Sequence, residues 1–424
     1  MNKQYYQGLN ETLFSCQMEN GLKVQVVPRP GFSRKLAYFV TDFGSIHTDF
    51  LLDGKKIKAP AGIAHFLEHK MFELPERDVS AEFAALGANV NAFTSYDMTA
   101  YYFSCTENFQ ENLRLLLEFV STPYFTEESV QREIGIIDQE IGMNADSPER
   151  VFENLMQAMY RSHPIRVPIL GSRESIRQIT PELLNECHRA FYTPANMILC
   201  VVGDVDPRQV LDIAREVLGS APKEAGIKLR PWQEDMTCHQ DTVTMAMEVA
   251  MPNFQLGFKC EAIGTGEAAI RQEIIGDLAA EALFGESSAL YLQLYERGLI
   301  DSSFGGGFET VDGCAMLTCG GDSYDAQAVR DAIMARAEEL VKTGIEEADL
   351  LRMKRSALGR RIRDLDSFDS TCFRLCAYEL SAFDYFGFPA VYTGVTAAQV
   401  CAFIEKVVKK ERCALSIIEP RRQS

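Results

Sequence analysis

The stretch Ala64-His65-Phe66-Leu67-Glu68-His69-Lys70 sets two histidines four residues apart, with a glutamate directly before the second. At 3.6 residues per turn, positions i, i+3 and i+4 share one face of a helix. His65, Glu68 and His69 then form a polar stripe, and Ile63, Phe66, Leu67 and Met71 fall on the other side. Such a pattern describes a buried helix in which two imidazoles grip one metal ion while Glu68 stands beside it. Pro60, at the end of a polar loop over 53–58, suits the first turn of that helix.

Outward from this helix, strands and helices alternate with clear punctuation. Upstream, 22–27 and 36–40 alternate as strands around a turn at 28–31. Downstream, 79–86 reads as a helix stopped by Gly87. Residues 88–95 and 99–104 then read as two strands joined by a turn at Tyr96-Asp97. An amphipathic helix over 108–120 is closed by Ser121-Thr122-Pro123. Thr126 is a fitting N-cap for the next helix, which passes Glu133 and Glu140 and ends near 143. Asp146-Ser147-Pro148 interrupts it, and further helices cover 149–160 and 181–191 before an apolar strand at 197–203.

With 424 residues the chain exceeds one ordinary core, so at least two domains are expected. The order of elements repeats. Thr126-Glu127-Glu128 has a counterpart in Ile345-Glu346-Glu347, and Thr180-Pro181-Glu182-Leu183 one in Thr396-Ala397-Ala398-Gln399. The strand at 198–202 likewise matches 414–418. Near-constant offsets point to duplication of one α+β domain, a mainly antiparallel sheet with helices packed on one face. The expected division is 1–220 for the metal-bearing domain, 221–237 for a linker containing Pro222 and Pro231, and 238–424 for the second copy. Where the first copy has its two histidines, the second has Glu281-Ala282-Leu283-Phe284-Gly285.

A net charge of −18 argues against nucleic acid, which needs a basic footprint. No run of 18 apolar residues appears, and Met1 to Gly8 has no apolar leader core, so neither a membrane span nor a signal peptide is expected. Twelve scattered cysteines without a C-x-x-C pair read as buried hydrophobes in a reducing cytoplasm.

Two histidines leave a catalytic zinc one protein ligand short. Glu133 and Glu140 share a face of their helix but stand about 10 Å apart along its axis. One can ligate and the other can orient a ligand or a water. The order H-x-x-E-H is the inverted form of a zinc-peptidase helix motif, in which Glu68 would take a proton from water and pass it to the leaving amine.

The string Gly62-Ile63-Ala64-His65-Phe66-Leu67-Glu68-His69-Lys70-Met71-Phe72 resembles the active-site helix of the pitrilysin-like, or insulinase, zinc peptidases. So do 87–94, 132–140, Ile169-Leu170-Gly171-Ser172, Phe191-Tyr192 and Pro194-Ala195-Asn196-Met197. The resemblance implies Glu140 as the third zinc ligand, Glu133 as its supporting carboxylate, and Asn91-Ala92-Phe93 as part of an edge that binds peptide as an added strand. Members of the family also hold substrate through an Arg and a Tyr in the second half. Here Tyr295 stands near the expected Arg and Asp301 near the expected Tyr, with Arg297 out of step. This departure implies a zinc-bearing subunit whose clamp comes from a homologous partner chain, or from a second copy of itself. The expected function is zinc-dependent endopeptidase action on small or unfolded peptides in a closed chamber. A scaffold of the same fold and a peptidase dedicated to one precursor are the alternatives.

Weaker signals receive ordinary readings. Gly305-Gly306-Gly307 lacks the Lys-Ser/Thr of a phosphate loop and reads as a bulged strand. The basic run Arg352, Lys354, Arg355, Arg360, Arg361 and Arg363 reads as a solvated helix face, with a peptide-attracting chamber wall as the alternative. His47, His163, His188 and His239 are expected to be structural or surface residues.

Overall fold

The computed structural model describes residues 1–75, 77–145, 147–221, 226–230 and 232–421; Asp146, Pro222 and Pro231, which mark expected breaks, lie outside them. The chain divides into two compact units. The first takes Met1–Ile141, Pro168–Arg230 and Ile362–Phe386, and the second takes Gly142–Val167, Pro231–Arg361 and Gly387–Ser424. The expected boundaries at 220 and 238 run along the chain without interruption. The packing differs from them in two segments, each of which joins the sheet of the other half.

The main sheet of the first unit contains β1 (Asn2–Tyr6), β2 (Glu11–Gln17), β3 (Lys23–Pro28), β4 (Lys35–Thr41), β9 (Ala88–Thr94), β10 (Thr99–Cys105) and β11 (Met197–Gly203). Its order is β1-β2-β3-β11-β4-β10-β9, antiparallel except for the β3–β11 pair. The loop expected at 53–58 is instead a hairpin of β5 (Asp49–Leu52) and β6 (Lys55–Lys58), extended by β12 (Ile227–Leu229) from the expected linker. A two-stranded ribbon, β7 (Glu73–Leu74) with β8 (Arg77–Asp78), completes the strands of this unit.

Helices α1 (Ile63–Met71), α2 (Val79–Ala85), α3 (Phe109–Ser121), α4 (Glu127–Asn144), α6 (Arg173–Ile176), α7 (Pro181–Phe191) and α8 (Pro207–Leu218) follow the apolar periodicity of the sequence. The core includes Phe39, Phe66, Phe83, Phe103, Phe119 and Leu199, all essentially without solvent exposure. Strand alternation sends Tyr38 and Cys200 to the opposite face. There α13 (Phe368–Leu380) covers β4 and β11, with Cys372 Sγ 3.9 Å from the Cys200 carbonyl. Helices therefore cover both faces of this sheet.

The second unit has β13 (Thr242–Met247), β14 (Asn253–Cys260), β15 (Gly305–Val311), β16 (Cys314–Asp322) and β17 (Cys413–Pro420), in the order β13-β17-β14-β16-β15. The glycine run forms the edge strand β15, in unbroken register with β16. Helix α5 (Arg150–Met159) lies across β14 and β17. A Cβ on Gly257 would stand 2.5 Å from Met159 Sδ, so the bare strand is what lets α5 approach. The other helices are α9 (Gly266–Phe284), α10 (Ala289–Glu296), α11 (Ala326–Thr343), α12 (Glu347–Arg363), α14 (Phe388–Thr393) and α15 (Ala397–Val407). In this unit Glu234 accepts the backbone N–H groups of Arg161 and Ser162, each at 2.8 Å, and pairs with buried Lys259 at 3.2 Å. No single helix among the described residues is long and apolar enough to cross a membrane.

Candidate metal centre

Helix α1 begins at a backbone device. Gly62 has φ +90°, and a Cβ there would meet the Leu170 carbonyl oxygen at 2.5 Å. This close approach sets where α1 enters the fold. Ile63, Ala64, Phe66, Leu67 and Met71 are buried in the core, which turns the polar stripe toward α4 and β9.

His65, His69 and Glu140 each offer one ligand atom within 4.8 Å of the other two. His65 Nε2 lies 3.7 Å from Glu140 Oε1, and His69 Nε2 lies 3.9 Å from Glu140 Oε2. These separations are too long for hydrogen bonds. They sit near the ~3.4 Å expected between two ligand atoms on one tetrahedral zinc. His65 Nδ1 and Glu140 Oε2 are buried without a hydrogen-bond partner. An imidazole pair with one carboxylate, including unmet buried atoms, is a donor set that fits a divalent cation such as zinc.

The supporting residues fix the donors. Glu133 Oε1 lies 2.9 Å from His69 Nδ1, so the carboxylate accepts a hydrogen bond from Nδ1–H, and in that neutral tautomer Nε2 carries the lone pair. Glu133 and Glu140 thus divide their roles by reach: one touches the far side of an imidazole and the other the open cluster. Burial, and then the neighbouring His69, hold His65 well below its ordinary value, at about 3. In His69 burial also works downward, but the hydrogen bond and charge of Glu133, with Glu68 and Glu140, outweigh it and raise the pKa. Glu68 is 8% exposed. Burial pushes its carboxyl above the ordinary value, against the hydrogen bond from Thr94 and the His69 charge. Thr94 Oγ1 donates to Glu68 Oε2 at 2.6 Å, a contact not foreseen in the sequence.

Among the described residues strand β9 pairs with β10 alone and forms the edge of the main sheet. Asn91 is exposed on it, and Ala92 and Phe93 are half-buried. Phe93 packs against Phe373 of α13 at 6.0 Å, on the face opposite Thr94. Tyr295, Arg297 and Asp301 belong to the second unit. There Tyr295 is exposed and stacks on Tyr291, and Asp301 accepts the Ser303 N–H at 2.8 Å as a turn cap.

Sequence and fold comparisons agree with this geometry. Residues 55–173 match the family model described as Insulinase (Peptidase family M16), and residues 178–357 match Peptidase M16 inactive domain. The chain is 37% identical over 425 residues to "Uncharacterized zinc protease YmfH" of Bacillus subtilis, covering 98% of each chain. The chain belongs to the insulinase family, peptidase family M16. Among solved structures of M16 character, a putative M16-like peptidase from Alicyclobacillus acidocaldarius superposes with TM-score 0.93 at 34% identity, over 97% of this chain and 99% of that one. The periplasmic protease PqqL from Escherichia coli shares the M16 fold at TM-score 0.75 and 18% identity, over all of this chain and 48% of that one.

Proposed function

We propose that this chain is the zinc-bearing subunit of an endopeptidase that hydrolyses small or unfolded peptides, with His65, His69 and Glu140 as the metal ligands. The observation that carries the reading is the convergence of these three donors beside a buried glutamate, with His69 held by Glu133 and Glu68 by Thr94. Zinc, when bound there, supplies Lewis acidity to a water and to a peptide carbonyl. Glu68 takes the proton of the attacking water at Oε1, its Oε2 being engaged by Thr94, and passes it to the departing amine nitrogen. Glu133 keeps His69 in one tautomer and orientation.

The edge strand β9 leaves one side open to an extended peptide, and Asn91, Ala92 and Phe93 would flank it, the peptide displacing the Asn91 Oδ1 that accepts the Ala92 N–H at 2.9 Å. A peptide added there would run beside the strand that contacts the general base. The second unit supplies no Arg/Tyr pair at the expected positions, which supports completion by a homologous partner chain or by a second copy. Relatives bearing zinc-protease names and a structural neighbour about twice this chain's matched length agree with such an arrangement. Twelve free cysteines favour a reducing cytoplasm as the working compartment.

The test is to purify the full chain with whatever homologue accompanies it and assay a peptide library with and without a zinc chelator. Chelator-sensitive cleavage that disappears in Glu68→Gln supports the proposal. Zinc-free protein, or cleavage indifferent to chelator, would overturn it.

A further inference from the structure

We propose that Thr94 is a positioning residue for the general base, its hydroxyl setting the Glu68 carboxylate from the strand along which substrate would lie. The inference deepens the peptidase reading and rests on it for its kinetic consequences, though not for its structural one.

A glutamate on a helix has three rotatable torsions, and a buried carboxylate such as that of Glu68 has to be hydrogen-bonded. Its carboxylate therefore needs a fixed donor to hold one orientation. Thr94 supplies it at 2.6 Å, the short range of a hydroxyl donating to a charged oxygen. The direction of donation follows from the neighbouring hydroxyl. Thr99 Oγ1 lies 2.7 Å from the Phe43 carbonyl and 3.4 Å from Thr94 Oγ1. A hydroxyl has one proton, and that of Thr99 goes to the nearer carbonyl. Thr94 is then free to give its own proton to Glu68.

The backbone presets this contact. Thr94 ends β9, directly opposite Thr99 in the antiparallel register with β10. A β-branched side chain in a strand has few χ1 choices, so a fixed backbone fixes the hydroxyl. Alternation along β9 places Val90, Ala92 and Thr94 on the α1 side and Asn91 and Phe93 on the other. One edge strand thus offers its backbone to a peptide and its last helix-facing side chain to the base. A peptide that orders β9 by pairing with it also orders the donor to Glu68.

The experiment compares Thr94→Val and Thr94→Ser in the full chain, loaded with zinc and accompanied by any partner it co-purifies with. Valine keeps the branched shape and removes the donor, whereas serine keeps the donor and removes a methyl. Thr94→Val is expected to lower kcat about 10–100-fold, the loss of one hydrogen bond to a charged group. Zinc stoichiometry and Tm should stay close to those of the parent, with KM within about twofold, and Thr94→Ser should recover most of kcat. A crystal structure of zinc-loaded Thr94→Val should show the Glu68 carboxylate turned from its parental orientation. An unmoved carboxylate, an unchanged kcat, or a loss confined to KM would overturn the proposal. So would a serine variant as impaired as the valine one, because methyl packing would then be the cause. If the parent protein cleaves no peptide, the peptidase reading fails, while the crystal structures still decide whether Thr94 sets Glu68.

Discussion

The two units build the same kind of helix junction with opposite chemistry. In the first, α4 brings Glu133 and Glu140 to the imidazoles of α1. In the second, α12 brings Arg361 to carboxylates of α9, with Glu273 at 2.7 Å and Asp277 at 3.5 Å. Arg361 is 6% exposed, and its guanidinium lies 5.7 Å and 5.9 Å from the ring centroids of Phe388 and Tyr392. The second junction thus contains its own cation. The first gathers nitrogen and oxygen donors at distances no hydrogen bond explains, so the cation must come from solution. One duplicated architecture therefore yields a closed ion pair in one copy and a metal-ready cluster in the other.

The sharpest way to break this comparison is Glu68→Gln. Under the proposed peptidase reading the first junction carries the chemistry, so kcat should fall roughly 10²–10⁴-fold while zinc stays bound. The measurement is steady-state kinetics alongside metal analysis. Retained hydrolysis at normal zinc content would remove Glu68 from the base role.

Arg361→Ala probes the other junction. It takes the guanidinium away from the half-buried Glu273 and Asp277, a change expected to cost about 1.5–3 kcal/mol, the range for a hydrogen bond to a charged group. Urea denaturation should show that loss, with zinc content unaltered. If Arg361→Ala were neutral, the second junction would not be held by its ion pair and the contrast would weaken. A smaller effect is expected from Glu133→Ala, about 10–100-fold in zinc affinity, because in the proposed site Glu133 orients His69 without ligating. Metal-binding titration against a competing chelator reads it. Complete loss of zinc in that variant would make Glu133 a ligand in its own right.

Much of this contrast was legible in the chain, and the unread part has a physical pattern. The stripe His65, Glu68 and His69 follows from local helical spacing, and α7 and β11 occupy the spans that their caps and apolar runs predicted. Local signals carry local structure. Helical periodicity shows which face of a helix is apolar but not which sheet will cover it. For that reason the exchange of α5 and α13 between the halves could not be read. Arg361 was hidden for a related reason. It sits in a basic run that looks solvated, and its carboxylate partners lie on a helix far upstream in sequence. Thr94 looked like one more strand residue, because its partner Glu68 is separated from it by the ribbon β7–β8, α2 and most of β9. Only alternation along β9, once the face of Ala92 is known, points it at α1.

The smallest expected effect is a pH dependence carried by a buried histidine of the first unit. In the first unit His188 is buried, stacked on Tyr192 with ring centroids 4.7 Å apart, and its Nε2 lies 3.1 Å from the Val120 carbonyl. Burial lowers its pKa to about 4, with the carbonyl working against the shift. An unfolded histidine titrates near ~6.5. Above that pH both states are neutral and His188 adds no pH dependence. Between about 6.5 and 4 the unfolded chain binds a proton that the folded one does not, so stability falls as pH falls. From pH 7 to 5 the loss should be roughly 1–2 kcal/mol. In the second unit burial also lowers His163, but that ring is held at both nitrogens, accepting the Ile165 N–H at 3.2 Å and meeting the Asp312 carbonyl at 3.1 Å. His188→Gln keeps a donor for Val120 and cannot titrate. In metal-free protein, urea denaturation of this variant should show a shallower decline from pH 7 to 5 than the parent by that amount. Identical slopes would mean that the buried His188 does not contribute to the loss of stability between pH 7 and 5.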